Sequence, residues 1–265
     1  MTIDLFYRVL FFLSGAMIGS FLNVCIVRLP KEQSVVSPGS HCFKCGKPVQ
    51  WYDNIPLISY WLLRGRCRAC GAPFSVRYFF IELLTGCVFF GLYMYYGLTL
   101  ELLPYLIMLS CFIVATFTDF DERIIPDEVS VGGMVAGLII SPLVPQLHHT
   151  AVWWQALLYS GLGVLVGGGS IYLMGLLGEW IFKKEAMGGG DVKLMAMVGA
   201  FMGWKMALLT FFVAPFFGAV VGIIEKIRTK DSTIAYGPYL VIGALVSLFW
   251  GERLIDIIMG GYGLY

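Results

Sequence analysis

The sequence predicts an all-α polytopic membrane protein, with about eight transmembrane helices and one sizeable polar insertion after the first. Three observations carry this. The 265-residue chain is 58% hydrophobic and 13% charged, against roughly 45–50% and about 25% in ordinary soluble domains. Its apolar residues gather in continuous runs, several of about 18 residues or more, the length that crosses a bilayer. Those runs do not alternate apolar and polar residues at period two, which excludes a porin-like barrel. The net charge is +1, so overall charge selects no partner class, and no nucleic-acid partner is expected.

In chain order the apolar segments are 7–27, 78–97, 101–118, 128–146, 152–180, 192–204, 206–225 and 237–258. The first includes VLFFLSGAMIGSFLNVCIV, which is long for the core of a secretory signal. Its leading MTIDLFYR is hardly basic, and Arg28 and Lys31 follow it. It reads as an uncleaved first span. The sixth segment is short for a full span, so it either crosses partially or runs into the seventh.

Residues 28–77 form the polar insertion. They hold Arg28, Lys31, Lys44, Lys47, Arg64, Arg66, Arg68 and Arg77 against Glu32 and Asp53. The other loops after odd-numbered spans hold or border Arg123; then Lys183, Lys184 and Lys193; then Lys226, Arg228 and Lys230. Together these loops carry 15 of the 18 Lys and Arg residues. Because positive charge is retained in the cytoplasm, the odd loops should face the cytoplasm and both termini the opposite side. The expected organisation is a first transmembrane helix (1–27), a cytoplasmic domain (28–77) and a multi-helix membrane domain (78–265).

The seven cysteines divide into two groups. Cys25, Cys87 and Cys111 lie singly in apolar spans and read as buried small hydrophobes. Cys42, Cys45, Cys67 and Cys70 follow the spacing C-x2-C-x21-C-x2-C, and their surroundings repeat as CFKCGKP and CRACGAP. Each two-residue gap, with its following glycine, lets one turn offer two thiolates to a single ion. Two such turns close a tetrahedral shell suited to Zn2+. A cytoplasmic location disfavours disulfides. A closed four-thiolate shell leaves no open position for catalysis, so the expected role is to fold a segment too small for its own core.

Acidic residues mark a second site. In CFIVATFTDFDERIIPDEVS, Pro126, Asp127 and Glu128 read as a helix start, with Pro in the first helical position. Asp119 instead follows directly on an apolar run, and Asp121 faces elsewhere if the helix continues. In MGGGDVKLMAMVG, Asp191 follows three glycines and opens the next apolar run. Helix capping would account for Asp191 taken alone. Taken with Asp119 it reads differently, because both border odd loops and so belong to one membrane face. Acids at membrane depth are costly and mark function. Two carboxylates in one low-dielectric site share a proton, so one can act as base on a water and the other as acid on a carbonyl oxygen. Gly188 and Gly190 are supporting residues that would let backbone approach an extended substrate. Lys193 either biases the ionisation of the pair or marks the membrane surface. No Ser/His pair, HExxH motif or convincing P-loop competes.

Small residues recur at Gly15/Gly19, Gly133/Gly137, Gly199/Gly203 and Gly218/Gly222, and read as close packing within one bundle rather than as dimerisation faces. His148 and His149 read as part of a solvated loop on the non-cytoplasmic side.

These motifs resemble the type IV prepilin peptidases of type IV pilus and type II secretion systems, over nearly the whole chain. GSFLNVCIVRLP at 19–30 is similar to the first-span signature of that family. The CxxC pairs flank WYDNIPLISYWLLRGR, which is similar to its ENIPL.SY segment, and RYFFIEL at 77–83 is similar to its R.P..E element. DFDERIIPD and GGGDVKL resemble its two aspartate motifs, the second of the GxGD type. Asp53 stands where the family pattern has Glu, Phe79 where it has Pro, and the outward loop near 141–153 is slightly long. The resemblance implies a bifunctional enzyme of the bacterial cytoplasmic (inner) membrane, with its active site facing the cytoplasm. Its substrates would be prepilins or pseudopilins. It would remove their short basic leader with Asp119 and Asp191, then methylate the new N-terminal amine from S-adenosylmethionine. No Rossmann pattern locates the methyl donor. Asn54, Tyr60, Arg77 and Glu82 are the candidates, from the insertion and its junction with the second span. Two rival readings are a transporter with a proton relay, which should hold acids deep within spans, and an assembly protein whose zinc loop docks partners, which leaves the aspartates without a role.

Overall fold

The computed structural model describes residues 3–183, 187–229 and 235–261. Lys184 and Lys230, and the side chains of Lys226 and Arg228, on which part of the charge argument rests, lie outside the described residues. The chain is helical, with no strand among the described residues, and divides into two compact units, Met1–Val114 and Ala115–Tyr265.

The first unit holds α1 (Ile3–Arg28), α2 (Ile58–Leu62), α3 (Val76–Tyr96) and the beginning of α4 (Leu102–Glu122). Apolar side chains gain little by leaving lipid for protein, so helices in a bilayer associate through close packing. Here α1 meets α3 through glycines. A Cβ on Gly15 would lie 2.6 Å from Thr85 O, and one on Gly19 2.8 Å from the Glu82 Cα. Asn23, one turn further on, donates to Gly19 O (3.2 Å) and across to Tyr78 O (3.1 Å). Ser75 caps α3 by accepting from Arg77 N, and Gly97, at φ 63°, ends it.

The second unit holds the end of α4 with α5 (Asp127–Leu143), α6 (Trp153–Phe182), α7 (Gly189–Thr229) and α8 (Gly237–Gly261). Helices α6 and α7 touch backbone to backbone at Gly163 and Gly199, where a Cβ on either residue would overlap the carbonyl of the other. Gly137 of α5 seats Ala200 in the same way, its Cβ position 2.8 Å from the Ala200 Cβ. The recurring small residues at these positions therefore serve packing within the bundle. Gly199→Ala is expected to lower stability by about 1–3 kcal/mol, because the obstructing atom is backbone and cannot rotate away. Thermal unfolding of the detergent-solubilised protein measures this, and an unchanged midpoint would refute the contact.

The eight α-helices are not eight spans. Helix α2 is a five-residue turn in the insertion, and the sixth and seventh apolar segments are one element, α7, bent at Gly203 (φ 75°, ψ 173°). By length and composition, five of the described helices can cross a membrane: α1, α3, α4, α6 and α7. Helix α5, at 17 residues with Pro142 inside, is shorter than the roughly 20 residues a bilayer requires.

Four expectations are corrected. His148 is buried rather than solvated: its Nε2 lies 2.9 Å from Ser141 Oγ, and its ring covers Gly203. Burial, with the neighbouring His149, pulls this imidazole down to about 4, so it is neutral at pH 7. This is also a Ser/His pair that the sequence did not suggest. It is structural, because Ser141 Oγ is fully buried and reaches the carbonyls of Gly137 (2.8 Å) and Ala200 (3.2 Å). Ser160 Oγ also donates to Ala200 O, at 2.7 Å, so hydroxyls from α5 and α6 meet α7 just before its bend. Cys87 is exposed on α3, whereas Cys25 is buried as expected. Finally, Pro126 is the N-cap of α5 and not its first residue.

Candidate functional site

Asp119 lies in the last turn of α4 and Asp191 in the first turn of α7, and both are buried, at 6% and 8% exposure. Their surroundings bring them together. Asp119 Oδ2 accepts the backbone N–H of Gly237, the first residue of α8, at 2.9 Å. The side chain of Ile125 lies against Gly237 on one side and against Gly190, the neighbour of Asp191, on the other (3.1 Å from each Cβ position). Three segments far apart in sequence, the end of α4 and the starts of α7 and α8, thus meet around Ile125.

Asp191 is not the N-cap residue itself, although an acid in a first turn still favours the helix start. Helix α7 begins at Gly189, so Asp191 stands inside the first turn, its own N–H donating to Gly188 O at 3.1 Å. The glycines before it make room locally. A Cβ on Gly188 would sit 3.3 Å from Asp191 Oδ2, and one on Gly190 would press on Ile125. Asp121 is exposed, as its place two residues beyond Asp119 requires. Lys193 holds Asp127 with contacts of 2.6 and 2.8 Å, and both are exposed. This lysine joins the starts of α5 and α7. Sequence reasoning missed Gly237 and Ile125. The Gly-Pro pair that opens α8 was the available signal for the first, and nothing in the sequence marks the second.

The insertion of the first unit builds a different centre. Cys42, Cys45, Cys67 and Cys70 place their sulfurs within 4.8 Å of one another, with Cys42 Sγ and Cys70 Sγ 3.7 Å apart. A tetrahedral zinc with Zn–S bonds of about 2.3 Å requires sulfurs about 3.8 Å apart, so the four thiols fit that ion. The halves match in detail. Gly46 N donates to Cys42 O and Cys42 N to Lys47 O; Gly71 N donates to Cys67 O and Cys67 N to Ala72 O, all at 2.8–2.9 Å. Gly46 and Gly71 share a left-handed conformation, at φ 69° and 70°, that a side chain would strain. Backbone N–H groups of Cys45 and Lys44, with help from the Cys67 and Cys70 sulfurs, pull the Cys42 thiol down to about 6. At Cys70 the Ala72 N–H acts in the same direction, but burial and the sulfurs of Cys45, Cys42 and Cys67 push the thiol up to about 11. Arg68 grips Asp53 through both carboxylate oxygens, at 2.6–2.9 Å, and ties the 51–53 turn to the second half. The Asp at position 53 thus has a partner that its shorter side chain can reach.

Of the four methyl-donor candidates, Asn54, Tyr60 and Glu82 line one cavity of the first unit, and Arg77 does not line it. Asn23, part of the GSFLNVCIVRLP signature but not among the four candidates, lines the same cavity from α1.

Comparison with known proteins divides the chain in a similar way. Residues 13–96 match the bacterial peptidase A24 N-terminal domain, and residues 106–223 the type IV leader peptidase family. The chain is 42% identical to a prepilin leader peptidase/N-methyltransferase of Myxococcus xanthus (strain DK1622) over 84% of its own length, and spans 64% of that protein. Proteins of the same name from Legionella pneumophila and Pseudomonas putida are 33% and 30% identical to it. Those alignments cover 92% and 91% of this chain, and 91% and 89% of the relatives. No solved structure matches the chain.

Proposed function

This chain belongs to the type IV leader peptidase family, and on that premise we propose that it removes the leader of prepilins or pseudopilins and then N-methylates the exposed amine. The observation that carries the proposal is the burial of Asp119 and Asp191, two carboxylates from distant segments whose neighbours Gly237 and Gly190 both pack on Ile125. The Gly237 N–H fixes the rotation of Asp119 by holding one of its oxygens. In the reaction the ionised member takes a proton from a water as that water attacks the scissile carbonyl. The protonated member hydrogen-bonds the carbonyl oxygen, and proton transfer to the departing amine completes cleavage. Neither carboxylate forms a covalent bond to the substrate.

Within this reading the four cysteines hold one structural Zn2+, and S-adenosylmethionine supplies the methyl group. The protein sits in the bacterial inner membrane, with the aspartates at the cytoplasmic face where a basic leader lies. Purified protein given a prepilin-like substrate tests the proposal by mass. The substrate should lose its leader, and then gain one methyl group when S-adenosylmethionine is present. A substrate of unchanged mass refutes it, and would return attention to a transporter or an assembly protein.

The two reactions should be separable, because a carboxylate pair has no evident use in moving a methyl group to an amine. An Asp191→Asn enzyme given already trimmed substrate and S-adenosylmethionine is expected to methylate at close to the wild-type rate. Complete loss of methylation in the folded, zinc-loaded variant would mean that one site serves both steps.

A further inference from the structure

Helix α2 is far too short to be a span, yet one of its faces is as apolar as a span. Ile58, Trp61 and Leu62, at i, i+3 and i+4, share that face and are 55%, 71% and 75% exposed. Ser59, on the other side, is buried; its Oγ accepts from Ile55 N (3.0 Å) and donates to Tyr52 O (3.1 Å). Three large apolar side chains presented by five residues mark an interaction surface. Its depth identifies the partner. Leu57, the residue before α2, donates its N–H to Glu82 Oε2 at 2.8 Å. It does so at φ 63°, ψ −49°, a conformation that a branched side chain disfavours, so the position of α2 is enforced. Glu82 stands nearly two turns into α3, about 9 Å from its first residue, Val76. The rings agree. The centroids of Tyr60 and Trp61 lie 5.6 and 5.9 Å from that of Phe79, and Phe79 lies 6.0 Å from Phe80. Phe80 belongs, with Val76 and Leu84, to the exposed stripe of α3.

Helix α3 has 21 residues, barely the roughly 20 that cross a bilayer, so its first turns stand at the boundary between acyl chains and headgroups. Helix α2 lies alongside those turns and stands at the same depth, and its apolar face joins the exposed stripe of α3 through Phe79. A face so placed meets lipid before it meets a soluble partner. Tryptophan is also a side chain that the interface favours. The charge fits an anionic surface: Arg64, directly after α2, is exposed, and the insertion holds eight Lys and Arg against Glu32 and Asp53, of which Asp53 is engaged by Arg68. We propose that α2 is an interfacial wedge. Ile58, Trp61 and Leu62 enter the adjoining leaflet, Arg64 meets the phosphates of anionic phospholipids, and the metal-clipped insertion is thereby held against the bilayer. The assignment is independent of either reaction proposed for the chain.

Fluorescence quenching of the full-length, zinc-loaded protein in vesicles of phosphatidylcholine and phosphatidylglycerol tests this. The emission of Trp61→Phe, subtracted from that of wild type, isolates one indole among the seven in the chain. Lipids brominated on the acyl chain, near the headgroup or near the chain end, are the membrane quenchers, and iodide is the aqueous one. Trp61 should lose emission to bromine near the headgroup, lose little to bromine near the chain end, and be shielded from iodide. With bromine on phosphatidylglycerol alone, Arg64→Gln should reduce the quenching about fivefold, the weight of one basic residue at an anionic surface. With bromine on phosphatidylcholine alone, that variant should be quenched as wild type is. Quenching by iodide and by neither lipid overturns the proposal, because α2 then faces water. Shielding from iodide and from both lipids overturns it as well, because protein, such as a second copy of the chain, then covers the face. An Arg64→Gln variant quenched like wild type by phosphatidylglycerol overturns the role of Arg64. Should Trp61→Phe fail to fold, a phospholipid with a photoreactive group near its headgroup can be photolysed on wild type. Adducts on residues 58–62 support the proposal, and adducts confined to α1, α3, α4, α6 and α7 overturn it.

Discussion

Asp119→Asn and Asp191→Asn are each expected to reduce leader cleavage by about 100- to 10,000-fold, the range that one positioned acid or base contributes. Asparagine preserves size and can still accept the Gly237 N–H through its carbonyl oxygen, but it cannot exchange the proton. Both variants should therefore insert, fold and keep their metal, which separates loss of chemistry from loss of structure. Asp127→Asn is the control. It removes an exposed ion pair with Lys193 worth about 0.2–1 kcal/mol, and should leave most activity. Rates of leader removal from a purified prepilin-like substrate measure all three. Near wild-type cleavage by either the Asp119 or the Asp191 variant means that the pair is misassigned, and Asp121 or Asp127 becomes the next candidate.

The second large effect concerns the cysteine centre. Between residues 28 and 75 the only hydrophobic residues buried are Cys42 and Ala72. A segment with so little apolar interior cannot offset the entropy of ordering its own backbone. Structural zinc binding supplies on the order of 10–16 kcal/mol in small sites, enough to replace a core. Changing Cys42 and Cys45 to serine together should reduce zinc from near one ion per chain to none. It should also make residues 40–74 sensitive to limited proteolysis, while α6 and α7 remain protected. Protein prepared under reducing conditions that contains two disulfides and no metal would overturn the assignment.

What the sequence disclosed follows from the range of each signal. Apolar length and the C-x2-C repeat are local properties, so seven helices and the sulfur cluster were legible residue by residue. The union of the sixth and seventh segments was one of two outcomes that the shortness of the sixth left open, but the bend was not legible, because Gly203 resembles the glycines that merely pack, and only its backbone angles reveal it within one continuous element. Asp119 and Asp191 stood out because carboxylates are rare in apolar surroundings. Gly237 contributes through its backbone N–H, which side-chain chemistry cannot announce. Asn23 stood in a signature segment but was not singled out, for a different reason: an amide in an apolar helix is ordinarily satisfied, and its Oδ1, without a hydrogen-bond partner among the described residues, becomes visible only once α3 is packed beside it.

The twin knuckles also have a consequence in time. Cys42 and Cys70 are 28 positions apart in the chain, and ribosomes add about 5–20 residues per second, so the second knuckle emerges roughly 1–6 s after the first. During that interval the nascent chain, already committed to the bilayer through α1, displays half of a ligand set. Two thiolates cannot complete a tetrahedral shell, and the insertion stays open until the second pair arrives. With zinc as the proposed ligand, a chain truncated or stalled between residues 46 and 66 would hold only one of the two thiol pairs, whereas a chain that passes residue 70 would hold all four sulfurs while the remaining helices are still being made.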